Sequence, residues 1–239
     1  KGWGTQWHTN HDFPRQVTWF GDDSPAHRVQ SSKLLSTFLL TMRGTPYYYM
    51  GDEIGMTNAK FDSIDDYNDL MTINWYNLTK NEGGDAEMLL ESHKLSGRDN
   101  ARTPIQWDDS ANAGFTTGKP WLKVTGNYPE INVAAQEDDP DSPLNYFRQL
   151  TRLRKENLTL VYGAYELLLP DDEHIYAYTR KLDDEVILVL LNYSSHQHHC
   201  ALEPALIGDN IMINNYASLQ SDDSGYTLEP WQAVVIRIA

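Results

Sequence analysis

The first fifty residues follow the order strand, helix, strand with short connections, and this order constrains the fold more than any other feature. The run "TQWHT" at 5–9 combines aromatic and β-branched residues and predicts a short strand. Ser24 and Pro25 suit the start of a helix, and Gly44 suits its end. "TPYYYMG" at 45–51 predicts a second, buried strand. Such a βαβ unit requires parallel strands joined by a right-handed crossover.

The C-terminal third has a different pattern. After Leu160, seven short strand candidates are separated by Asp, Gly, Pro and Ser: "AYELLLP", "HIYAYTRKL", "EVILVLLNYS", "HHCALE", "NIMINNY", "YTLEP" and "AVVIRIA". Even spacing without intervening helices is typical of a small antiparallel sandwich. We therefore expect an α/β domain at 1–157 and an all-β domain at 158–239.

Residues 52–142 show neither the strand–helix–strand order nor the evenly spaced strand candidates. They contain acidic, helix-like pieces and the polar passage "SGRDNARTPIQWDDSANAGFTTGKPWL". A long connection inside a compact domain is usually functional or disordered. We expect this one to be ordered, with Trp107 and Trp121 packed beneath it rather than open to a ligand. Ser142 and Pro143 then predict the start of another helix.

Charge and cysteine content exclude several classes of function. The formal net charge of −15 over 239 residues repels phosphate backbones, so we expect no nucleic-acid partner. No apolar run is long enough to span a bilayer, so we expect no membrane partner. The single cysteine, Cys200, rules out an intramolecular disulfide framework and favours a reducing compartment, the cytoplasm. The opening "KGWGTQWHTN" reads as the interior of a domain, so we expect a longer protein.

Acidic side chains follow both predicted strands of the βαβ unit. His11 and Asp12 come after the first strand, and Asp52 and Glu53 come after the second. The carboxyl ends of parallel strands lie at one edge, where barrels and open α/β sheets place their active sites. Paired carboxylates suit glycoside hydrolysis, in which one acts as acid and another as nucleophile. A second interpretation stays open: Asp12 caps a turn, and Asp52 and Glu53 are solvated loop residues.

Three blocks of sequence together resemble a known family. "NHDFPR", "GTPYYYMGDEIGMTN" and "SGRDNARTPIQWDDSANAGFTTGKPWLKV" are similar to the α-glucosidase branch of glycoside hydrolase family 13. That branch includes oligo-1,6-glucosidase, dextran glucosidase and trehalose-6-phosphate hydrolase. The resemblance runs from Trp3 to about Asn157, and the blocks keep the order and spacing of the family.

The resemblance implies the last βα units of a (β/α)₈ barrel, followed by a C-terminal antiparallel β-sandwich. It also implies retaining hydrolysis of a small oligosaccharide. Asp12 would be the third catalytic carboxylate, which holds the sugar in a distorted, oxocarbenium-like ring, and His11 would contact the same sugar. Arg98 and Arg102 would line the aglycone side. Glu53 is a further substrate-binding candidate because it follows the second strand.

Some family features are altered or absent. The family usually has Gln, Gln and Glu where this chain has Phe13, Met50 and Asp52, so fine specificity stays open. The nucleophile and the acid/base lie on earlier barrel strands, outside this sequence. We therefore expect the N-terminal remainder of the barrel as a partner and an inactive chain without it. The resemblance implies no cofactor, and a calcium site, if present, would lie outside this chain. "HQHHC" at 196–200 is interpreted as a surface turn, with no metal ligand assigned.

Three other interpretations stay open. A trehalose-6-phosphate hydrolase would need a cationic pocket for phosphate, with the candidates Lys60, Arg98, Arg102 and Lys119. A non-catalytic binding protein on the same scaffold, like the amino-acid-transporter heavy chains, would be expected to lose the carboxylate of Asp12. A free carbohydrate-binding module at 157–239 would be expected to carry a cluster of exposed aromatics, which that segment lacks.

Overall fold

The computed structural model describes residues 2–239, which form mainly helices in the first two thirds of the chain and mainly strands in the last third. The helices are α1 (Gln16–Phe20), α2 (Arg28–Thr41), α3 (Leu70–Asn81), α4 (Ala86–Ser96), α5 (Val133–Glu137), α6 (Pro143–Glu156) and α7 (Leu158–Tyr162). The strands are β1 (Thr5–Gln6), β2 (Thr45–Pro46), β3 (Ala164–Leu168), β4 (Ile175–Leu182), β5 (Glu185–Asn192), β6 (His198–Ala201), β7 (Asn210–Asn214), β8 (Gln220–Asp222), β9 (Gly225–Leu228) and β10 (Ala233–Arg237). Within this range, no helix is long and apolar enough to cross a membrane.

The chain divides into two compact units. The first combines residues 2–7, Asp23–Tyr47 and Asn145–Ala239, and the second combines His8–Asp22 with Tyr48–Leu144. Helices α2, α6 and α7 therefore share a unit with the C-terminal strands. The domain boundary near residue 157 stays a prediction.

The pairing of β1 with β2 is parallel, as the βαβ pattern predicts. Thr5 lies opposite Thr45 in this register, and Gln6 lies opposite Pro46. Both strands are shorter than predicted, and the expectation that 45–51 is buried is wrong, since Tyr47 is 60% exposed. A parallel strand is normally buried between two neighbours, and each of these strands has one neighbour within the described residues.

Helix α2 begins three residues later than predicted. Ser24 and Pro25 start a turn in which the Ser24 carbonyl accepts a hydrogen bond from the N–H of Arg28 at 2.9 Å. The helix then packs on the large sheet through polar as well as apolar side chains. The hydroxyl of Thr41 lies 2.5 Å from that of Tyr178 on β4, and the hydroxyl of Thr37 lies 2.9 Å from that of Tyr146 on α6. The start of α6 at Pro143 agrees with the prediction.

The C-terminal strands form two antiparallel sheets, which confirms the predicted sandwich. One sheet has the order β3-β4-β5-β10-β7, and the other has the order β6-β9-β8. Strand β5 is buried on both faces, and this burial explains why its sequence is apolar at successive positions. Ile187, Val189 and Leu191 pack with the helices, whereas Leu188 and Leu190 pack with the smaller sheet. Each fully buried side chain of this kind contributes about 1.5–3 kcal/mol.

Two buried arginines bind backbone carbonyls near the end of α2. Arg180 on β4 donates to the carbonyls of Thr41, Leu160 and Gly163. Arg154 on α6 donates to other carbonyls, which belong to Leu40, Met42, Gly44 and Leu160. The last carbonyls of a helix have no hydrogen-bond partner within the helix, so these guanidinium groups satisfy them. Their positive charges also interact favourably with the negative end of the helix dipole.

The second unit is held together by two smaller apolar clusters. One joins α3 and α4 through Phe61, Tyr67, Tyr76, Ala86 and Leu90. The other contains Ile54, Met56, Ile105 and Leu144. Asp69 and Asp85 cap α3 and α4 by accepting the backbone N–H groups of Thr72 and Met88. This unit contains His11, Asp12, Glu53, Arg98 and Arg102, so its geometry decides the site.

Candidate active site

Asp12 lies in a tight loop in which Asn10, not Asp12, caps the turn. The side-chain oxygen of Asn10 accepts the N–H of Asp12 at 2.7 Å, and its carbonyl accepts the N–H of Phe13 at 3.2 Å. The interpretation of Asp12 as a turn cap is therefore wrong. Its carboxylate is free to meet other side chains, and 46% of the side chain is exposed.

Two guanidinium groups converge on the Asp12 carboxylate. Arg102 Nη2 lies 2.9 Å from Asp12 Oδ1, and Arg98 Nη1 lies 3.5 Å from the same oxygen. Arg102 Nε also donates to the backbone carbonyl of His11 at 2.7 Å. The structure thus brings together Asp12 and both arginines, although 86 and 90 residues of sequence separate them.

His11 lies on the other side of the same carboxylate. Its Nε2 is 3.4 Å from Asp12 Oδ2, and its side chain is largely exposed. Asp12 therefore presents one oxygen to the two arginines and the other to His11. This division leaves lone pairs on Oδ2 for a ligand, since the carboxylate oxygens have about four lone-pair sites between them.

Two buried aspartates hold the arginines in place. Arg98 Nη2 lies 2.6 Å from Asp69 Oδ1, and Arg102 Nη1 lies 3.3 Å from Asp99 Oδ1. Burial raises the pKa of Asp69, but hydrogen bonds from Thr72 and Arg98 outweigh that effect and leave the pKa lowered. These aspartates fix both guanidinium forks before any substrate arrives.

Sequence reasoning assigned no role to Asp69 or Asp99. The sequence did carry a signal for the capping role of Asp69, because an Asp at the start of a helix can accept the N–H of the residue three positions later, here Thr72. Asp99 lies between the two arginines in "GRDNAR", and its Oδ2 accepts the N–H groups of Asn68 and Asp69 at 2.7 Å each. Their pairing with the arginines depends on tertiary contacts and has no local signature.

Asp52 does not join this carboxylate group at the surface. It is 3% exposed, and the Thr9 hydroxyl donates to its Oδ2 at 2.5 Å. The interpretation of Asp52 as a solvated loop residue is therefore wrong. Burial raises the pKa of Asp52 to about 7, although Arg15 and the Thr9 hydrogen bond act in the opposite direction. Glu53 Oε2 accepts the N–H of Gly51 at 2.7 Å, and its role as a substrate contact stays a prediction.

Arg15 positions the loop that carries Asp12, and sequence reasoning missed it. Its side chain is fully buried, and Nη1 donates to the Met50 carbonyl at 2.5 Å. Its backbone N–H donates to Asn58 at 2.9 Å. Gly51 has a φ of +92°, and an added Cβ would stand 2.7 Å from Arg15 Nη1. The guanidinium therefore ties the loop at 9–15 to the segment after β2.

The exposed tryptophans correct one expectation. Trp107 is 50% exposed and Trp121 is 61% exposed, so the expectation that they pack beneath the long loop is wrong.

At the "HQHHC" run, His198, His199 and Cys200 belong to β6 rather than to a turn, and Cys200 is buried. Among residues 2–239, no three His, Cys, Asp or Glu side chains are grouped so that they could hold a metal ion.

Two family models match the chain in succession. Residues 1–163 match the α-amylase catalytic domain, and residues 165–235 match the C-terminal domain of maltogenic amylase. The chain belongs to the α-amylase family of glycoside hydrolases. This confirms the resemblance to glycoside hydrolase family 13 and the fold that it implied, the last part of the barrel followed by antiparallel β-sheets.

Relatives within the α-amylase family include oligo-1,6-glucosidases. That of Parageobacillus thermoglucosidasius is 47% identical over 242 residues, which cover 100% of this chain and 43% of the relative. The oligo-1,6-glucosidase of Halalkalibacterium halodurans is 43% identical, and the match covers 98% of this chain and 42% of the relative. Trehalose-6-phosphate hydrolase of Bacillus subtilis is 38% identical, and the match covers 99% of this chain and 43% of the relative. The chain thus spans less than half the length of these relatives.

Solved structures of the family superpose closely on the chain. Trehalose-6-phosphate hydrolase of Bacillus licheniformis has a TM-score of 0.94 at 39% identity. Isomaltulose synthase of Erwinia rhapontici has a TM-score of 0.93 at 41% identity. Each match covers 99% of this chain and 43% of the solved chain.

Proposed function

We propose that this chain is the C-terminal part of a retaining α-glucosidase that hydrolyses terminal α-glucosidic bonds of short oligosaccharides. The proposal depends chiefly on one observation, the half-exposed Asp12 carboxylate gripped by Arg98 and Arg102. The identity of 47% to an oligo-1,6-glucosidase supports an activity of that kind. The finer assignment, to α-1,6 bonds, rests on that similarity alone.

In this proposal, Asp12 stabilises the transition state and forms no covalent bond. Its exposed oxygen accepts hydrogen bonds from ring hydroxyls, and these bonds strengthen as positive charge develops on the sugar. His11 contacts the same sugar from the neighbouring position. Because Arg98 and Arg102 are anchored on buried aspartates, the carboxylate keeps its position while the ring distorts. This built geometry favours a hydrolase over a non-catalytic protein on the same scaffold.

The charges around Asp12 favour a neutral substrate over trehalose 6-phosphate. Arg98 and Arg102 face three carboxylates, those of Asp12, Asp69 and Asp99. Their positive charge is therefore already matched, so they offer no net attraction to a phosphate group. Of the other two candidates for phosphate, Lys119 lines a separate cleft with Trp121, and Lys60 stays an untested candidate.

The proposal places the nucleophile and the acid/base outside these 239 residues. The N-terminal remainder of the barrel is then the obligatory partner, and the chain without it is inactive. We include in the proposal that the enzyme needs no cofactor and works in the cytoplasm, which the single Cys200 favours.

Hydrolysis of p-nitrophenyl α-glucoside tests the proposal. The 239-residue chain should release no p-nitrophenol, whereas the full-length protein should release it and should cleave isomaltose faster than trehalose 6-phosphate. In the full-length protein, Asp12→Asn should lower kcat about 10²–10³-fold, the usual cost of losing one group that stabilises the transition state.

Asp62→Asn provides a matched control. Asp62 belongs to the same unit and pairs with Lys94 at 2.8 Å, but its side chain is 89% exposed. This variant should keep full activity. Turnover by the chain alone, or an Asp12→Asn enzyme as active as the control, would contradict the proposal.

A further inference from the structure

A second cleft lies within the unit that carries Asp12, on the surface of the long polar segment. Its volume is about 550 Å³, which is within the range of about 300–1,000 Å³ for small-molecule sites. Its lining includes two aromatic rings, from Trp121 and Tyr128, and two amide side chains, from Asn68 and Asn112. The proposed hydrolysis uses none of these four residues.

Trp121 gives the cleft an exposed aromatic wall on a fixed backbone. Its side chain is 61% exposed, whereas the next residue, Leu122, is buried. The carbonyl of Trp121 accepts a hydrogen bond from Asn68 Nδ2 at 2.7 Å. The position of the residue is therefore set while its ring stays accessible. A flat aromatic face of this kind suits the apolar face of a pyranose ring.

The two amides leave acceptors beside that ring. Asn68 Nδ2 is used by Trp121, and Asn112 Nδ2 donates to the carbonyls of Thr116 at 3.1 Å and Gly118 at 3.0 Å. Within residues 2–239, no donor binds the side-chain oxygen of Asn68 or Asn112. These oxygens can accept hydrogen bonds from ligand hydroxyls.

The charges in the cleft match a ligand without net charge. Lys123 pairs with Asp66 at 3.1 Å, and the other charged residues of the lining, Asp65 and Lys119, also have opposite signs. The formal charges of the lining therefore cancel. Such a surface offers polar contacts but attracts neither anions nor cations by its overall field.

The loop beneath the cleft is held in a conformation that the chain rarely adopts. Asn112 and Ala113 have φ values of 54° and 56°, and the carbonyl of Ala113 accepts the N–H of Trp107 at 2.9 Å. Backbone of this kind persists only where surrounding contacts over-determine it. A wall fixed in advance loses little entropy when a ligand binds.

We propose that this cleft binds a glucosyl unit of a neutral α-gluco-oligosaccharide. The apolar face of the sugar lies on Trp121, and its hydroxyls donate to the side-chain oxygens of Asn68 and Asn112. The α-gluco class of this ligand rests on the proposed function, but the four residues that form the site have no role in the proposed hydrolysis.

The test is a titration with isomaltotriose followed by the indole N–H signals in ¹⁵N NMR spectra. It uses the full-length protein with Asp12→Asn, so that the sugar is consumed about 10²–10³-fold more slowly during the titration. The Trp121 indole signal should shift and saturate, and Trp121→Ala should weaken binding at least tenfold. Trp107→Ala, in the same segment and also half-exposed, is the matched control and should bind as before. Glucose 6-phosphate should bind more weakly than isomaltotriose.

Three outcomes would overturn the proposal. The Trp121 signal stays unchanged at saturating sugar, Trp107→Ala loses as much affinity as Trp121→Ala, or glucose 6-phosphate binds more tightly. The readout is independent of hydrolysis. If the wild-type full-length protein cleaves no α-glucoside while isomaltotriose still saturates the Trp121 signal, the proposed enzyme is disproved and this site stands.

Discussion

Replacement of Asp52 by asparagine tests whether a buried carboxyl beside the Asp12 loop controls the pH dependence of stability. The pKa rises from 3.8 to about 7 because burial disfavours the charged form. The folded state therefore holds this proton more tightly than the unfolded chain. The associated stabilisation is present below pH 3.8 and is lost as the pH rises through about 7. At about 1.4 kcal/mol per pKa unit, the loss is about 4 kcal/mol.

Urea unfolding at several pH values measures this loss. Asp52→Asn keeps an acceptor for the Thr9 hydroxyl but has no proton to lose. The free energy of unfolding of the variant minus that of the wild type should rise by about 4 kcal/mol between pH 4 and pH 8. Other titrating groups cancel in this difference. Glu53→Gln, at the next residue, keeps the Asp52 carboxyl and should show only a small change, because the charge of Glu53 is a minor cause of the raised pKa of Asp52.

A direct titration provides the decisive check. The carboxyl ¹³C signal of Asp52 should titrate with a midpoint near pH 7, as burial requires. A midpoint near 3.8, the ordinary aspartate value, would refute the reasoning. A stability difference that stays constant with pH would refute it as well, because linkage requires the two measurements to agree.

Two further predictions concern stability. Arg180→Lys removes the forked donor shared by three buried carbonyls, so thermal unfolding should show a loss of about 3 kcal/mol, and an unchanged Tm would contradict the role of this residue. Gly114→Ala should cost about 2 kcal/mol in urea unfolding, since φ there is +66° and the new Cβ would stand 2.5 Å from Asp108 Oδ2. Gly118→Ala is its control, because an added Cβ there meets nothing nearer than 3.7 Å; equal losses in both variants would contradict the argument.

The strands of the sandwich were predictable because their pattern reflects burial. Strand β5 is apolar at successive positions since helices cover one face and the smaller sheet covers the other. Strand β8 was not predicted, because "QSD" is polar and exposed at the edge of its sheet. The lengths of β1 and β2 were overestimated for a related reason. A strand extends as far as its neighbours pair with it, and local sequence does not report the neighbours.

The candidate site was also predictable only in part. The grouping of Asp12, Arg98 and Arg102 followed from motifs that a resemblance placed in order. The buried partners Asp69 and Asp99 did not follow, because an acidic residue in a loop has the same local pattern whether it is solvated or paired with an arginine. Only the tertiary contacts at 2.6 and 3.3 Å separate the two cases.

These buried partners change what the arginines can do. A guanidinium group with no anchor would be free to follow an anionic substrate, whereas each of these is shared between Asp12 and a buried aspartate. Moving either arginine would leave a carboxylate buried without its cation, at a cost of about 3–5 kcal/mol. The arginines are therefore better suited to hold Asp12 against a neutral sugar than to capture a phosphate. In the proposed enzyme, we expect Asp69 and Asp99 to favour uncharged oligosaccharides by holding the two arginines on Asp12.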